Sequence, residues 1–145
     1  MSRPSFPTPE DAELAFYEAI ENGDLDRLMT VWSDDDEIVC LHPNGQRVVG
    51  QAKVRESWAA ILSSGHSIQV RVARSVRWQG AMLSIHSVVE TLYVDNQPGN
   101  VPVAATNVYV RGPNGWRMLV HHASPLTGSE SGDAGPDPEK PKVLH

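Results

Sequence analysis

From Ser67 to Ser124 apolar residues recur at alternate positions, in four runs separated by turn signals. The runs are "SIQVRVARSVRW", "AMLSIHSVVETLYV", "VPVAATNVYVR" and "WRMLVHHAS". A two-residue period places side chains on opposite faces of a strand, and β-branched residues favour that state. Gln79-Gly80, "DNQPGN" and "GPNG" supply the turns, the last with Asn114-Gly115 suited to positive φ. The pattern predicts a four-stranded antiparallel meander.

Upstream of Gly65 the period changes to that of a helix. "TPEDAELAFYEAIENGD" has Thr8 as a cap, Pro9 at the first helical position, Asp11 completing an approximate capping box and Gly23 at the stop. Ala12, Phe16, Ala19 and Ile20 form its apolar stripe. Asp24 then caps a second helix carrying Leu25, Leu28, Met29 and Trp32. A third, "QAKVRESWAAILSSG", buries Val54, Trp58, Ile61 and Leu62 and ends at Gly65. Between the second and third, "EIVCLHPNGQRVVG" reads as one or two short strands around a Pro-Asn-Gly turn. "SDDDE" lacks the glycine-containing spacing of a calcium loop and reads as a solvated turn. Helices followed by strands give an α+β protein with segregated elements.

These elements place one domain over residues 8–126, after a flexible N-terminus over residues 1–7. Residues 127–145, rich in Gly, Ser, Pro and charge, read as a disordered or loosely attached tail. The net charge of −6 argues against nucleic acid and against an anionic membrane surface. The lone Cys40 excludes an internal disulfide and reads as a buried thiol. Neither a signal sequence nor a membrane-length apolar run is evident, which makes the cytoplasm the expected compartment. Phosphate loops, GxSxG elbows and HExxH motifs are absent, and no cofactor is expected.

Three stretches resemble the NTF2-like superfamily, in particular its SnoaL-like branch. They are "FYEAIENGDLDRLMTVW", "HPNGQRVVGQAKVRESW" and "TNVYVRGPNGWRMLVHHASP". The resemblance implies a cystatin-type cone, three N-terminal helices packed in a strongly curved, mostly antiparallel sheet. It also implies a pocket inside the cone and a homodimer formed through the outer sheet face. Apolar residues on both parities of the second long strand (Met82 and Val88; Leu83, Ile85 and Val89) agree with a sheet covered on both faces. The superfamily holds isomerases, dehydratases, cyclases, dioxygenase subunits and non-catalytic binding modules, so the fold leaves the function open.

In enzymes of the superfamily an aromatic shell surrounds one or two acid–base side chains. Parity makes His86, Glu90 and His122 the candidate catalytic residues here. Asn107 and Tyr109 are the candidates for orienting a ligand, with Tyr17, Trp32 and Trp58 contributed by helices. His42 stands at the pocket mouth or hydrogen-bonds its turn. His86 and Glu90 lie about 13 Å apart along one strand, and each needs a partner elsewhere. For Glu90 the alternative partner is Arg71, Arg74 or Arg111 across the sheet. His121 and His122 point to opposite faces and do not chelate one ion, and no metal is expected. By parity His122 faces the cone, and His121 the dimer interface. The expected function is a homodimer that binds a small apolar organic molecule, with cofactor-independent acid–base chemistry of the isomerase, dehydratase or cyclase type. The alternative is a non-catalytic dimerisation or protein-interaction domain. Its cone would be small or filled, and its polar residues consumed in internal hydrogen bonds.

Overall fold

The computed structural model describes residues 4–127 and the two-residue strand Lys142–Val143. Helix α1 spans Pro9–Asn22. The Thr8 side-chain oxygen accepts from the Asp11 amide at 3.0 Å, and Gly23 ends the helix at φ 64°. Asp24 caps α2 (Leu25–Val31), accepting from the Arg27 amide at 3.0 Å. Helix α3 (Gln51–Leu62) stops short of Gly65; Val54, Ser57 and Trp58 are buried, while Ile61 and Leu62 are half-buried.

The short strands β1 (Val39–Leu41) and β2 (Arg47–Val49) form around the Pro-Asn-Gly turn. The four long strands are β3 (Ile68–Gln79), β4 (Leu83–Val94), β6 (Val103–Gly112) and β7 (Gly115–Pro125). Two strands beyond the expectation are β5 (Gln97–Pro98), inside "DNQPGN", and β8 (Lys142–Val143). The sheet order is β2-β1-β7-β6-β4-β3-β8, with β5 on β4. The meander is antiparallel throughout, whereas β1 runs parallel to β7 and β8 parallel to β3. The expected tail over 127–145 lies outside the described residues, save Thr127 and the Lys142–Val143 strand.

Two bulges bend this sheet. On β3 the pairing shifts between Ala73 and Val76, where Arg74 takes φ 56°. On β7, Val120 faces Val108 but Met118 faces Tyr109, so Leu119 is an extra residue. A bulge increases local twist and reverses side-chain parity beyond it.

Helix α1 packs on β3 and β7, α2 on α1 and α3, and α3 on β2. Phe16 of α1 is fully buried at the centre of an aromatic cluster. Its ring meets Tyr17, Trp32 and Trp58 edge-on at 5.0, 6.3 and 5.6 Å, and His121 at 5.0 Å. Such pairs add about 0.5–1.5 kcal/mol each beyond the area they bury.

The folded body begins before residue 8. Phe6 is buried between the guanidinium groups of Arg27 and Arg117, at 5.4 and 5.0 Å from its ring centre. Its carbonyl accepts from the Trp116 amide at 2.8 Å. Gly115 is required there, because a Cβ at that position would stand 2.4 Å from the Phe6 oxygen. No helix among the described residues is long and apolar enough to cross a membrane.

Candidate functional site

The inner face of β4 carries Ser84, His86, Val88 and Glu90, all buried, as alternation predicts. Asn107 and Tyr109 on β6 face the same way and are fully buried. Polar groups so placed must find partners or carry a desolvation penalty. His86, Glu90, Asn107 and Tyr109 find them on α1, although His86 Nε2 is left without a hydrogen bond; Ser84 donates to the Trp78 carbonyl at 3.2 Å.

Glu13 is the centre of the arrangement. Its Oε2 accepts from His86 Nδ1 at 2.8 Å, from the Tyr109 hydroxyl at 2.9 Å and from Asn107 Nδ2 at 3.3 Å. Asn107 Nδ2 also donates to the Tyr17 hydroxyl oxygen at 3.0 Å, and Tyr17 donates to Glu90 Oε2 at 2.6 Å. On the other side Asn107 Oδ1 accepts from His121 Nδ1 at 2.6 Å. One chain of hydrogen bonds thus links α1, β4, β6 and β7. The alternative pairing of Glu90 with Arg71, Arg74 or Arg111 does not form; Arg71 instead stacks over Tyr93 at 5.2 Å.

Next to this network lies a cavity of about 140 Å³. Ile20, Trp58, Ile61, Val70 and Leu92 give it apolar walls, and Glu90, His42 and His121 are its ionisable groups. Burial pushes the Glu90 carboxyl up to about 7; the Tyr17 hydrogen bond opposes the rise and the Glu13 charge adds to it. Burial, helped by neighbouring His42 and His122, brings His121 down to about 3. His42 is lowered by burial as well. Its Nε2 meets Ser57 Oγ at 2.9 Å, and Ser57 donates to the Val54 carbonyl at 2.8 Å. Cys40 is buried, and desolvation raises its thiol to about 12, far from a nucleophilic thiolate. A larger groove of about 540 Å³, lined by Asn44, Gln46, Lys53 and Glu56, shares Ile61 with this cavity and reaches Ser57 behind His42. No group of three or more His, Cys, Asp or Glu side chains among the described residues is placed to hold a metal ion.

Several expectations are corrected. His122 points outward and is exposed, whereas His121 is buried against the cavity, because the Leu119 bulge reverses parity beyond it. Trp32 is fully buried against Phe16 and bridges to Met118; it belongs to the core and does not line the cavity. His86, Asn107 and Tyr109 are bound to Glu13, and Tyr17 to Glu90, and none of the four lines this cavity; Tyr17 lines a separate groove of about 450 Å³ with Glu10, Glu13 and Val70. Glu90, His42 and Trp58 do. Two participants escaped the sequence reading, Glu13 and Ser57, and a third, His121, was assigned to the opposite face. Glu13 had a signal, standing three residues before Phe16, four before Tyr17 and seven before Ile20, within an apolar stripe. Ser57 had one too, sharing the buried face of α3 with Val54.

Known proteins match this arrangement at the level of the whole domain. A protein from Thiobacillus denitrificans, described as a candidate calcium/calmodulin-dependent protein kinase type II association domain, is 41% identical, with a TM-score of 0.75 over 86% of this chain and 99% of its own. A candidate dehydratase of the NTF2-like family from Streptomyces avermitilis is 29% identical, with a TM-score of 0.74 over 81% of this chain and 92% of its own. F-box protein SKIP8 of Arabidopsis thaliana is 23% identical over 116 residues, 75% of this chain; the chain spans about half of that relative, 46% of its length. The SnoaL-like domain model matches residues 10–128, nearly the whole of the folded body. With three helices on a curved mixed sheet, this chain is therefore an α+β cone of the NTF2-like type and belongs to the SnoaL-like domain family.

Proposed function

We propose that the chain binds a compact, mostly apolar organic molecule in the cavity beside Trp58 and moves a proton on it with Glu90. One observation carries the reading. The Glu90 carboxyl is held by Tyr17 on one side, opens on an apolar space on the other, and titrates near 7. A group with a midpoint near the working pH is present in both forms and transfers protons efficiently. Burial lowers both His42 and His121, so they leave the proton to Glu90 and stand beside it as hydrogen-bonding groups. The candidate dehydratase among the related structures is consistent with proton-transfer chemistry of the isomerase or dehydratase type.

The test has two stages. Apolar compounds of six to ten heavy atoms are screened for a rise in melting temperature, since a ligand of the folded state stabilises it. Each one that binds is then incubated in heavy water and examined for deuterium at carbon. The expected result is uptake by the native protein and at least a hundredfold slower uptake by E90Q, compared at ligand concentrations that saturate each protein. Uptake that survives E90Q would refute the role given to Glu90.

A second reading has its own support. Glu13, His86, Asn107 and Tyr109 are consumed in internal bonds, and the relative at 41% identity is described as an association domain. The convex face of the sheet presents Ile85, Val89, Val108, Val110 and Val120, all half-buried in the single chain. A second copy packed there as a homodimer would cover them. Sedimentation velocity on V108R decides this: a dimer that becomes a monomer supports the reading, and an unchanged mass overturns it.

A further inference from the structure

Hydrogen-bond direction at the cavity follows from one carboxylate. Glu13 Oε2 only accepts, so the Asn107 amide turns its nitrogen toward it and its oxygen away. That oxygen, Oδ1, takes a hydrogen from His121 Nδ1, so the neutral His121 ring carries a lone pair on Nε2. The other Asn107 hydrogen goes to the Tyr17 oxygen, so the Tyr17 proton goes to Glu90 Oε2 and Oε1 is left over.

The opposite wall repeats the pattern. Ser57 gives its proton to the Val54 carbonyl, so its oxygen accepts from His42 Nε2, with Cys40 Sγ at 3.6 Å as a second, weaker acceptor for the same hydrogen, and His42 Nδ1 is a lone pair. Among the described residues no hydrogen bond reaches Glu90 Oε1, His121 Nε2 or His42 Nδ1. None of the three atoms is sealed from solvent-sized space, and all three residues line the cavity. Among the described residues no Lys or Arg lines it. The Trp58 indole N–H, also without a hydrogen-bond partner, is itself sealed from solvent, so the polar atoms open to this cavity are acceptors, and a ligand must bring the donors.

A primary ammonium brings three donors and a charge that offsets ionised Glu90. Trp58, beside both histidines at ring separations of 4.9 and 6.2 Å, adds an aromatic surface for a cation. The volume of about 140 Å³ sets the size of the apolar body, since a dry cavity of about 150 Å³ holds one benzene.

Resting on the reading of this cavity as a ligand site, we infer that its ligand class is the small primary amine: a benzyl-sized apolar body with one ammonium held by Glu90, His42 and His121.

The experiment is calorimetric titration, above the Glu90 midpoint, with four probes of one body and different heads: benzylamine, toluene, benzaldehyde and benzoate. Benzylamine is expected to bind at least tenfold more tightly than toluene or benzaldehyde, and benzoate to give no binding. E90Q is expected to lose at least tenfold in benzylamine affinity while binding toluene as before, which also shows that it folds. Benzaldehyde or benzoate binding as tightly as benzylamine overturns the inference, as does benzylamine binding indifferent to E90Q. Should toluene and benzaldehyde bind but benzylamine fail, the amine assignment falls and the cavity remains a ligand site. Should none of the four bind, both fall.

Discussion

The Tyr17 hydroxyl on α1 donates to Glu90 Oε2 on β4 at 2.6 Å, joining residues 73 positions apart in the chain. This bond favours the ionised carboxyl, while burial favours the neutral one. Y17F removes the bond and leaves the burial. The Glu90 midpoint should therefore rise above about 7, read by carboxyl-carbon NMR through a pH titration. Stability should fall by about 1–3 kcal/mol in urea unfolding, since Glu90 Oε2 and one Asn107 hydrogen lose their partner. A midpoint that stays or falls would contradict the account.

The pH dependence of stability should show two opposing contributions. Glu90 moves from 4.5 up to about 7 on folding, so its contribution is complete below 4.5 and lost as pH rises through 7. His121 moves from 6.5 down to about 3, so its contribution is complete above 6.5 and lost as pH falls toward 3. Between 4.5 and 6.5 the slopes have opposite signs and similar size, each about 1.4 kcal/mol per pH unit. E90Q removes one and exposes the other. Urea unfolding across this window should show E90Q losing stability on acidification by about 1.4 kcal/mol per unit more than the native chain. Parallel curves would mean that Glu90 does not titrate in the window.

Glu13 should be the most sensitive polar position in the fold. Its Oε2 accepts three hydrogen bonds from residues that are fully buried. E13A strands those donors and should cost about 4 kcal/mol or more, because each unsatisfied buried group carries roughly 1–3 kcal/mol. E13Q keeps an acceptor oxygen and should lose less. Glu10, one turn earlier and 3.5 Å from His86 Nε2, has a side chain 43% exposed, and E10A should stay within about 1 kcal/mol of the native chain. Chemical denaturation of the three variants ranks them, and a Glu10 effect as large as that of Glu13 would overturn the assignment.

Much of the fold was legible because local rules and tertiary packing agree. The caps at Thr8 and Asp24, the glycine stop at Gly23 and the alternation on β4 each have a local cause. The site was legible only in part. Strand parity placed His86, Glu90, Asn107 and Tyr109 inside correctly, and His42 and Trp58 do line the cavity. Partners separated by 73 to 96 residues depend on how α1 crosses the sheet, which no local pattern encodes. Glu13 was hidden among the acidic residues Glu10, Asp11, Glu18 and Glu21 of its own helix.

The two histidines on β7 give the sharpest contrast between pattern and structure. Unbroken alternation puts His122 with Met118 on the inner face, but the extra Leu119 gives that face to His121. H121A should remove the donor to Asn107 Oδ1 and the ring packed at 5.0 Å from Phe16, at a cost of about 2–4 kcal/mol. With Oδ1 unpaired and Nδ2 still held by Glu13, the damage should extend to Tyr17 and Glu90, visible as a second perturbation of the Glu90 titration. H122A truncates an exposed side chain and should change folding stability by less than about 0.5 kcal/mol. Urea unfolding of the two variants tests the bulge directly: equal losses, or a larger loss at His122, would restore the unbroken strand.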